Sequence, residues 1–317
     1  MTSNLYSLIV PIYKSEGSIP RLLKVLLQLQ AELAYKLEII FVVDGSPDAS
    51  SQLLRQSANE GVLRGTLIEL TRNFGSFAAI RVGMNHARGS MMAVMAADLQ
   101  EPPELVLKMF QSLAYGEVDL VFGQRVGRDD PLSTRLLSSM FWGLYRRLIL
   151  PDIPKGGIDI FACTAQVRDD LMRLNEANSS LVSQLMWLGY RRVFIPYERQ
   201  KRQEGNSAWT IAKRLRYMSD SILSFSDLPI RVFLWLSCFG FIFGSSAATT
   251  IAILRLFGVI TVPGYAALAI LILCCCMLNN LVVAIVGLYT WRAFDNTKNR
   301  PLALIRSKLN FTISQPS

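Results

Sequence analysis

Between Leu5 and Gly123, five short apolar runs alternate with helical patterns, and this alternation restricts the fold more than any other feature of the chain. The runs are Leu5–Ile12, Leu37–Val43, Gly65–Leu70, Met91–Ala97 and Val118–Gly123. The helical patterns are Ser18–Leu33, Ser50–Asn59, Phe77–Arg88 and Pro103–Tyr115. Apolar strands separated by helices predict an α/β domain whose sheet is mostly parallel and covered by those helices. In such sheets ligands bind at the carboxyl ends of the strands. The loops at those ends are Pro11–Gly17, Asp44–Asp48, Thr71–Ser76 and Asp98–Glu104.

Several chemistries are excluded at once. His86 is the single histidine, so a His-rich zinc site or an H-E-x-x-H protease is impossible. The five cysteines form no C-x-x-C pair, and Cys274, Cys275 and Cys276 are adjacent in an apolar run, which fits a reducing compartment rather than a disulfide framework. Neither G-x-G-x-x-G nor a P-loop occurs. Residues 1–4 are polar and lead into a strand-like run, without the pattern of a signal peptide.

Hydrophobic residues make up 51% of the chain and charged residues 18%, against about 25% charge in ordinary soluble proteins. The excess is concentrated near the C-terminus. Val232–Leu254 carries no charge, and 23 residues of helix cover roughly 30 Å of hydrocarbon with a little to spare. A second apolar stretch gives a helix over about 265–289 after Pro263-Gly264. Basic residues flank this pair on its outer sides (Arg216 and Arg231, then Arg292 and Lys298). The expectation is therefore a two-helix transmembrane hairpin, with the preceding domain and both termini cytoplasmic. The domains expected are 1–200, an α/β domain; 201–231, a juxtamembrane amphipathic helix; 232–291, the hairpin; and 292–317, a basic tail. Ser207–Ser226 has the stripe of an interfacial helix. Leu132–Leu150 reads equally as interfacial or as packed on the domain. Asn279-Asn280 suggests contact with another copy of the chain or with the first span. The net charge of +9 clusters beside the apolar segment, which points to lipid rather than nucleic acid.

The strand-end loops carry groups suited to a nucleoside diphosphate. Pro11 and Tyr13 end the first strand. Asp44-Gly45-Ser46 ends the second, where a carboxylate can accept hydrogen bonds and glycine allows close backbone approach. Arg72-Asn73-Phe74-Gly75 follows the third. Asp98 and Gln100 follow the fourth and can offer two oxygens to Mg²⁺ or Mn²⁺. Each signal alone is weak; four at successive strand ends are far more specific.

Together with Gly157-Ile158-Asp159-Ile160-Phe161, Arg202, Gly205 and Ser207, these motifs resemble family 2 glycosyltransferases with the GT-A fold, in the polyprenyl-phosphate branch. The resemblance covers nearly the whole chain. It implies that Pro11, Tyr13, Asp44, Arg72 and Asp98 bind a nucleotide sugar, and that Asp98 and Gln100 hold a divalent metal. Asp159 would stand at the catalytic base position. Arg125, Arg199, Arg202 and Ser207 would lie near donor or acceptor phosphates. It also implies that 1–200 is the catalytic domain, that the partners are a nucleotide sugar, a polyprenyl-phosphate lipid and the membrane, and that the membrane is the cell inner membrane. Two departures stand out: Val43 and Ala96 replace acidic residues usual in the family, one in the Asp-Gly-Ser loop and one in the metal loop. They motivate another reading, a catalytically weak or silent nucleotide-sugar-binding protein. A transferase acting on another membrane lipid or glycan acceptor is a further alternative.

Overall fold

The computed structural model describes residues 5–126 and 158–200 apart from positions 35, 62, 175, 177 and 178. It also describes single positions between 235 and 257, and residues 264–311 apart from 299. Two compact units are formed. One comprises residues 1–217 and 301–317, the other residues 218–300.

The first unit is built on one sheet. Its strands are β1 (Tyr6–Ile12), β2 (Leu37–Val43), β3 (Gly65–Leu70), β4 (Met91–Val94), β5 (Leu120–Val126), β6 (Ile158–Thr164), β7 (Arg192–Glu198) and β8 (Ile305–Phe311). Their order is β7-β5-β6-β4-β1-β2-β3-β8. Strands β4, β1, β2 and β3 pair in parallel, as do β5 and β7, whereas β6 and β8 run antiparallel to their neighbours. The α/β architecture and mostly parallel sheet expected from the sequence are thus observed.

Side-chain alternation along each strand divides the core in two. Leu8, Val10 and Ile12 of β1 point to one face, with Ile39, Phe41 and Val43 of β2 beside them. They pack against α1 (Ile19–Glu32) and α4 (Pro103–Ala114), with Leu54 of α2 (Ser50–Asn59) in the same cluster. Ile9, Ile40 and Val42 point to the other face, in one cluster with residues of α3 (Ser76–His86), α5 (Ala165–Arg173) and α6 (Leu181–Trp187). The α3 contact depends on Gly83, where a Cβ would lie 2.4 Å from Ile9 Cγ2. Thr164 and Ser180 cap α5 and α6 by accepting from the N–H groups of Val167 and Ser183.

Two expectations are corrected. The segment 292–317, expected as a basic tail, supplies strand β8 on the edge of the sheet beside β3. Phe311 is buried and stacks on Phe41, with ring centroids 6.3 Å apart. Arg55 on α2 pairs with Glu69 on β3 at 2.7 Å, and Ser307 on β8 donates to the same carboxylate at 2.6 Å. Arg55, first, and then Ser307 and Ser51 hold the Glu69 carboxyl down to about 2. Lys308 and Arg306 keep the exposed edge charged, a common protection of edge strands.

The second correction concerns the membrane. In the other unit α7 (Tyr265–Thr297) is a single helix of 33 residues. Among the described residues no helix is long and apolar enough to cross a membrane. This finding overturns the expected multi-pass, inner-membrane placement. Most of 232–254, all of 132–150 and all of 207–226 lie outside the described residues.

Candidate functional site

The carboxyl ends of the parallel strands gather the expected loops. Those after β1, β2 and β3 are tied to one another. The Lys14 N–H donates to Ser46 Oγ (2.7 Å) and the Glu16 N–H to Asp48 Oδ2 (3.1 Å), while Glu16 Oε2 accepts from the Ala49 N–H (2.9 Å). Ser46 Oγ in turn donates to Asp48 Oδ1 at 2.6 Å. Burial works against the Asp48 carboxylate, but the Ser46 and Ser50 hydroxyls and the N–H groups of Glu16 and Ser50 hold its pKa below the usual range. Pro11 and Tyr13 are half-buried at the end of β1, and Lys14 takes a left-handed conformation with φ 51°.

Asp44 is 2% exposed. Its Oδ1 accepts from the Phe74 N–H at 2.7 Å and its Oδ2 from the Gly75 N–H at 2.8 Å. A carboxylate just ahead of the first turn of α3 also meets the positive end of that helix. Burial pushes the Asp44 carboxyl above its ordinary range, against the pull of the two N–H donors and of Arg72. Gly45 has φ 57°, and a Cβ there would fall 2.3 Å from the Arg72 carbonyl carbon. The Asp-Gly pair therefore clamps the loop after β3. Sequence reasoning places Asp44 at the nucleoside and misses this clamp; the Asp-Gly dipeptide is its only sequence signal. Arg72 is exposed, with its guanidinium 4.1 Å from the centroid of the Phe74 ring.

The loop after β4 is built differently. Leu99 is buried in the core with φ 53°, an uncommon conformation for a bulky residue. Asp98 and Gln100, on either side of it, are half-buried, and Asp98 Oδ1 accepts from the Gln100 N–H at 3.3 Å. Gln100 is held by the chain just beyond β7. Its Oε1 accepts from Arg199 Nη2 at 2.6 Å, its Nε2 donates to the Gln200 carbonyl at 3.3 Å, and its own carbonyl accepts from the Gln200 N–H at 2.9 Å. No sequence signal announces this contact, which joins positions 99 residues apart. Arg125 lies near the end of β5, in register with Tyr197 of β7. Among the described residues, the buried Nε atoms of Arg125 and Arg199 have no hydrogen-bond partner, and a buried donor without an acceptor is costly. Asp159 is the second residue of β6, whose first residue pairs with Gln124 of β5, so its backbone stands at this same end of the sheet. The side chain of Asp159, and all of Arg202 and Ser207, lie outside the described residues.

The chain matches Glycosyl transferase family 2 across residues 7–174, just over half its length. It belongs to that family. Relatives of this family 2 chain include the uncharacterized glycosyltransferase YkcC of Bacillus subtilis (strain 168), 29% identical over 95% of this chain and 93% of that one. The bactoprenol glucosyl transferase of Shigella phage SfX is 29% identical over 95% of this chain and 99% of that one. Among solved structures, a mannosyltransferase from Pyrobaculum calidifontis in complex with GDP-Man and Mn²⁺ is similar at a TM-score of 0.48 and 19% identity, covering 94% of this chain and 84% of that one.

Family 2 glycosyltransferases of the expected kind carry Mg²⁺ or Mn²⁺, and the donors present can be tested against such an ion. Hard divalent cations want several oxygen ligands. Among the described residues no group of three His, Cys, Asp or Glu side chains could hold one. The Ala96 side chain offers no oxygen, and the Gln100 amide oxygen is engaged by a cation already, Arg199. The arrangement does not fit a preformed divalent site.

Proposed function

We propose that this glycosyltransferase moves a hexose from a nucleoside-diphosphate sugar to a polyprenyl phosphate such as undecaprenyl phosphate, with inversion at the anomeric carbon. UDP-hexose is the leading donor and GDP-mannose the alternative. The observation that carries this reading is the nearly end-to-end match to a bactoprenol glucosyl transferase, over 95% of this chain and 99% of that protein. The two buried arginine Nε atoms without acceptors among the described residues support it, because the donor diphosphate and the acceptor phosphate are both anions.

In this reading a phosphate oxygen of the lipid attacks the anomeric carbon as the bond from that carbon to the donor diphosphate breaks. The bonding pair leaves on the nucleoside diphosphate. Arg125 and Arg199 meet the charge that develops there, the kind of preorganised stabilisation that dominates many enzymes. A phosphate monoester has a second pKa of about 6, so the acceptor is already ionised and no proton need be removed. Asp159 then orients the acceptor more than it acts as a base. Arg202 and Ser207 contact the acceptor phosphate. Pro11, Tyr13 and Arg72 line the nucleoside end, and Asp44 shapes it by holding the Arg72–Gly75 loop. The described donors are too few to hold Mg²⁺ or Mn²⁺ on their own.

The test is incubation of the purified chain with labelled sugar nucleotides and undecaprenyl phosphate in detergent micelles, followed by organic extraction. Label in the lipid phase with one donor is expected. Binding of UDP or GDP without transfer from any donor would favour the silent binding protein that Val43 and Ala96 suggest.

A further inference from the structure

We infer that Arg199 is the resident cation of the donor-diphosphate site, and that it competes with a divalent metal ion for the amide oxygen of Gln100. The inference rests on the nucleotide-sugar reading and adds to it how the leaving-group charge is met.

Three observations carry it. The Arg199 Nη2–Gln100 Oε1 contact is short, 2.6 Å, as charge-assisted hydrogen bonds are. The amide is also fixed from its other end, since Gln100 Nε2 donates to the Gln200 carbonyl and Gln200 donates back to the Gln100 carbonyl. Gln100 therefore presents its oxygen to a guanidinium rather than to an open cavity. Finally, Arg199 Nε is buried with no acceptor among the described residues, so the same guanidinium that holds Gln100 keeps a donor in reserve. A planar fork can serve an amide oxygen on one edge and a phosphate oxygen on another, which an ammonium cannot do with the same geometry.

The loss of a carboxylate at Ala96 is then matched by the gain of a fixed positive charge. A second carboxylate beside Asp98 would draw a divalent cation to this loop. With Ala96 there, a cation that approaches Asp98 finds the neighbouring Gln100 oxygen already held by Arg199.

The experiment measures UDP and GDP binding to the purified full-length chain by calorimetry, in EDTA and in millimolar MnCl₂. The wild type should bind one of them in EDTA. Arg199→Gln should weaken that binding by roughly 10- to 100-fold, the range of a hydrogen bond to a charged group, and Mn²⁺ should restore most of the loss. Mn²⁺ binding without nucleotide, followed by electron paramagnetic resonance, gives a second readout. Arg199→Gln should bind Mn²⁺ more tightly than the wild type, and most of that gain should disappear when Gln100→Ala is added. Should Arg199→Gln fail to fold, Arg199→Lys, which keeps the charge and loses the fork, should show the same ordering at smaller amplitude. Wild-type nucleotide binding that vanishes in EDTA would overturn the inference and leave the nucleotide-sugar reading intact. So would a gain in Mn²⁺ affinity that persists undiminished in Gln100→Ala, since it would then reflect only a lost charge. Failure of UDP and GDP to bind under either condition would overturn both.

Discussion

The loops after β1, β2 and β3 and the segments that carry Asp98–Gln100, Arg125 and Arg199 stand at the same end of one sheet and are finished differently. In the first group the acids are consumed internally: Asp44 by two backbone N–H groups, Asp48 by Ser46 and by backbone donors, Glu16 by Ala49. In the second group two arginines keep a buried donor without an acceptor among the described residues. The acids of the first group are spent on the shape of the loops, whereas in the proposed function the arginines of the second meet the charge of the phosphates. On that proposal, holding the fold and performing chemistry fall to different segments, and substitutions should separate the two.

The largest effect is expected in the second group. Arg199→Gln should lower kcat for sugar transfer by roughly 100- to 1,000-fold, the usual loss for one preorganised donor. Its melting temperature should stay near that of the wild type. In the first group the order reverses. Asp44→Asn places an amide N–H against a backbone N–H of Phe74 or Gly75, leaving a buried donor unmatched. It should cost about 2–3 kcal/mol of stability, read from denaturant unfolding. An unchanged midpoint would show that the clamp is dispensable.

Away from both groups, Glu69→Gln should cost about 1–2 kcal/mol at neutral pH, a figure kept low because Arg55 is 43% exposed. The Glu69 carboxyl is held down to about 2, so its contribution is complete above its ordinary value of 4.5 and fades as pH falls toward 2. The variant should show a flatter decline in stability across that window. If its acid unfolding matches the wild type, Glu69 does not anchor β8. The smallest effect is expected for Arg72→Ala, a several-fold rise in KM for the sugar nucleotide with kcat little changed, since Arg72 is exposed and rests on Phe74.

The parts of the molecule legible in the sequence are those whose signal is local. Strands β1 to β4 and helices α1 to α4 follow from periodicity, and their loops from the Asp, Gly and Pro residues that end each run. What escapes depends on contacts distant in sequence. Ser307 meets Glu69 across 238 positions, and nothing in Ile305–Phe311 distinguishes a charged edge strand from a basic tail until its partner is known. The resemblance puts Arg199 near a phosphate, but its hold on Gln100 is invisible until the two are seen together. Asp44 stands where the sequence predicts it but with its oxygens turned inward, because a residue type reveals its chemistry and not its partners. The expected hairpin comes from apolar composition, and composition carries that expectation further than the described helices support.

The most direct measurement is UDP and GDP affinity, by calorimetry in EDTA, for Arg125→Gln/Arg199→Gln beside Asp44→Asn, with the melting temperature of each. The arginine pair should lose roughly 100-fold or more in affinity and melt close to the wild type, whereas Asp44→Asn should melt several degrees lower and retain most of its affinity once folded. Unchanged nucleotide binding in the arginine pair would contradict the division of labour between the two groups of loops.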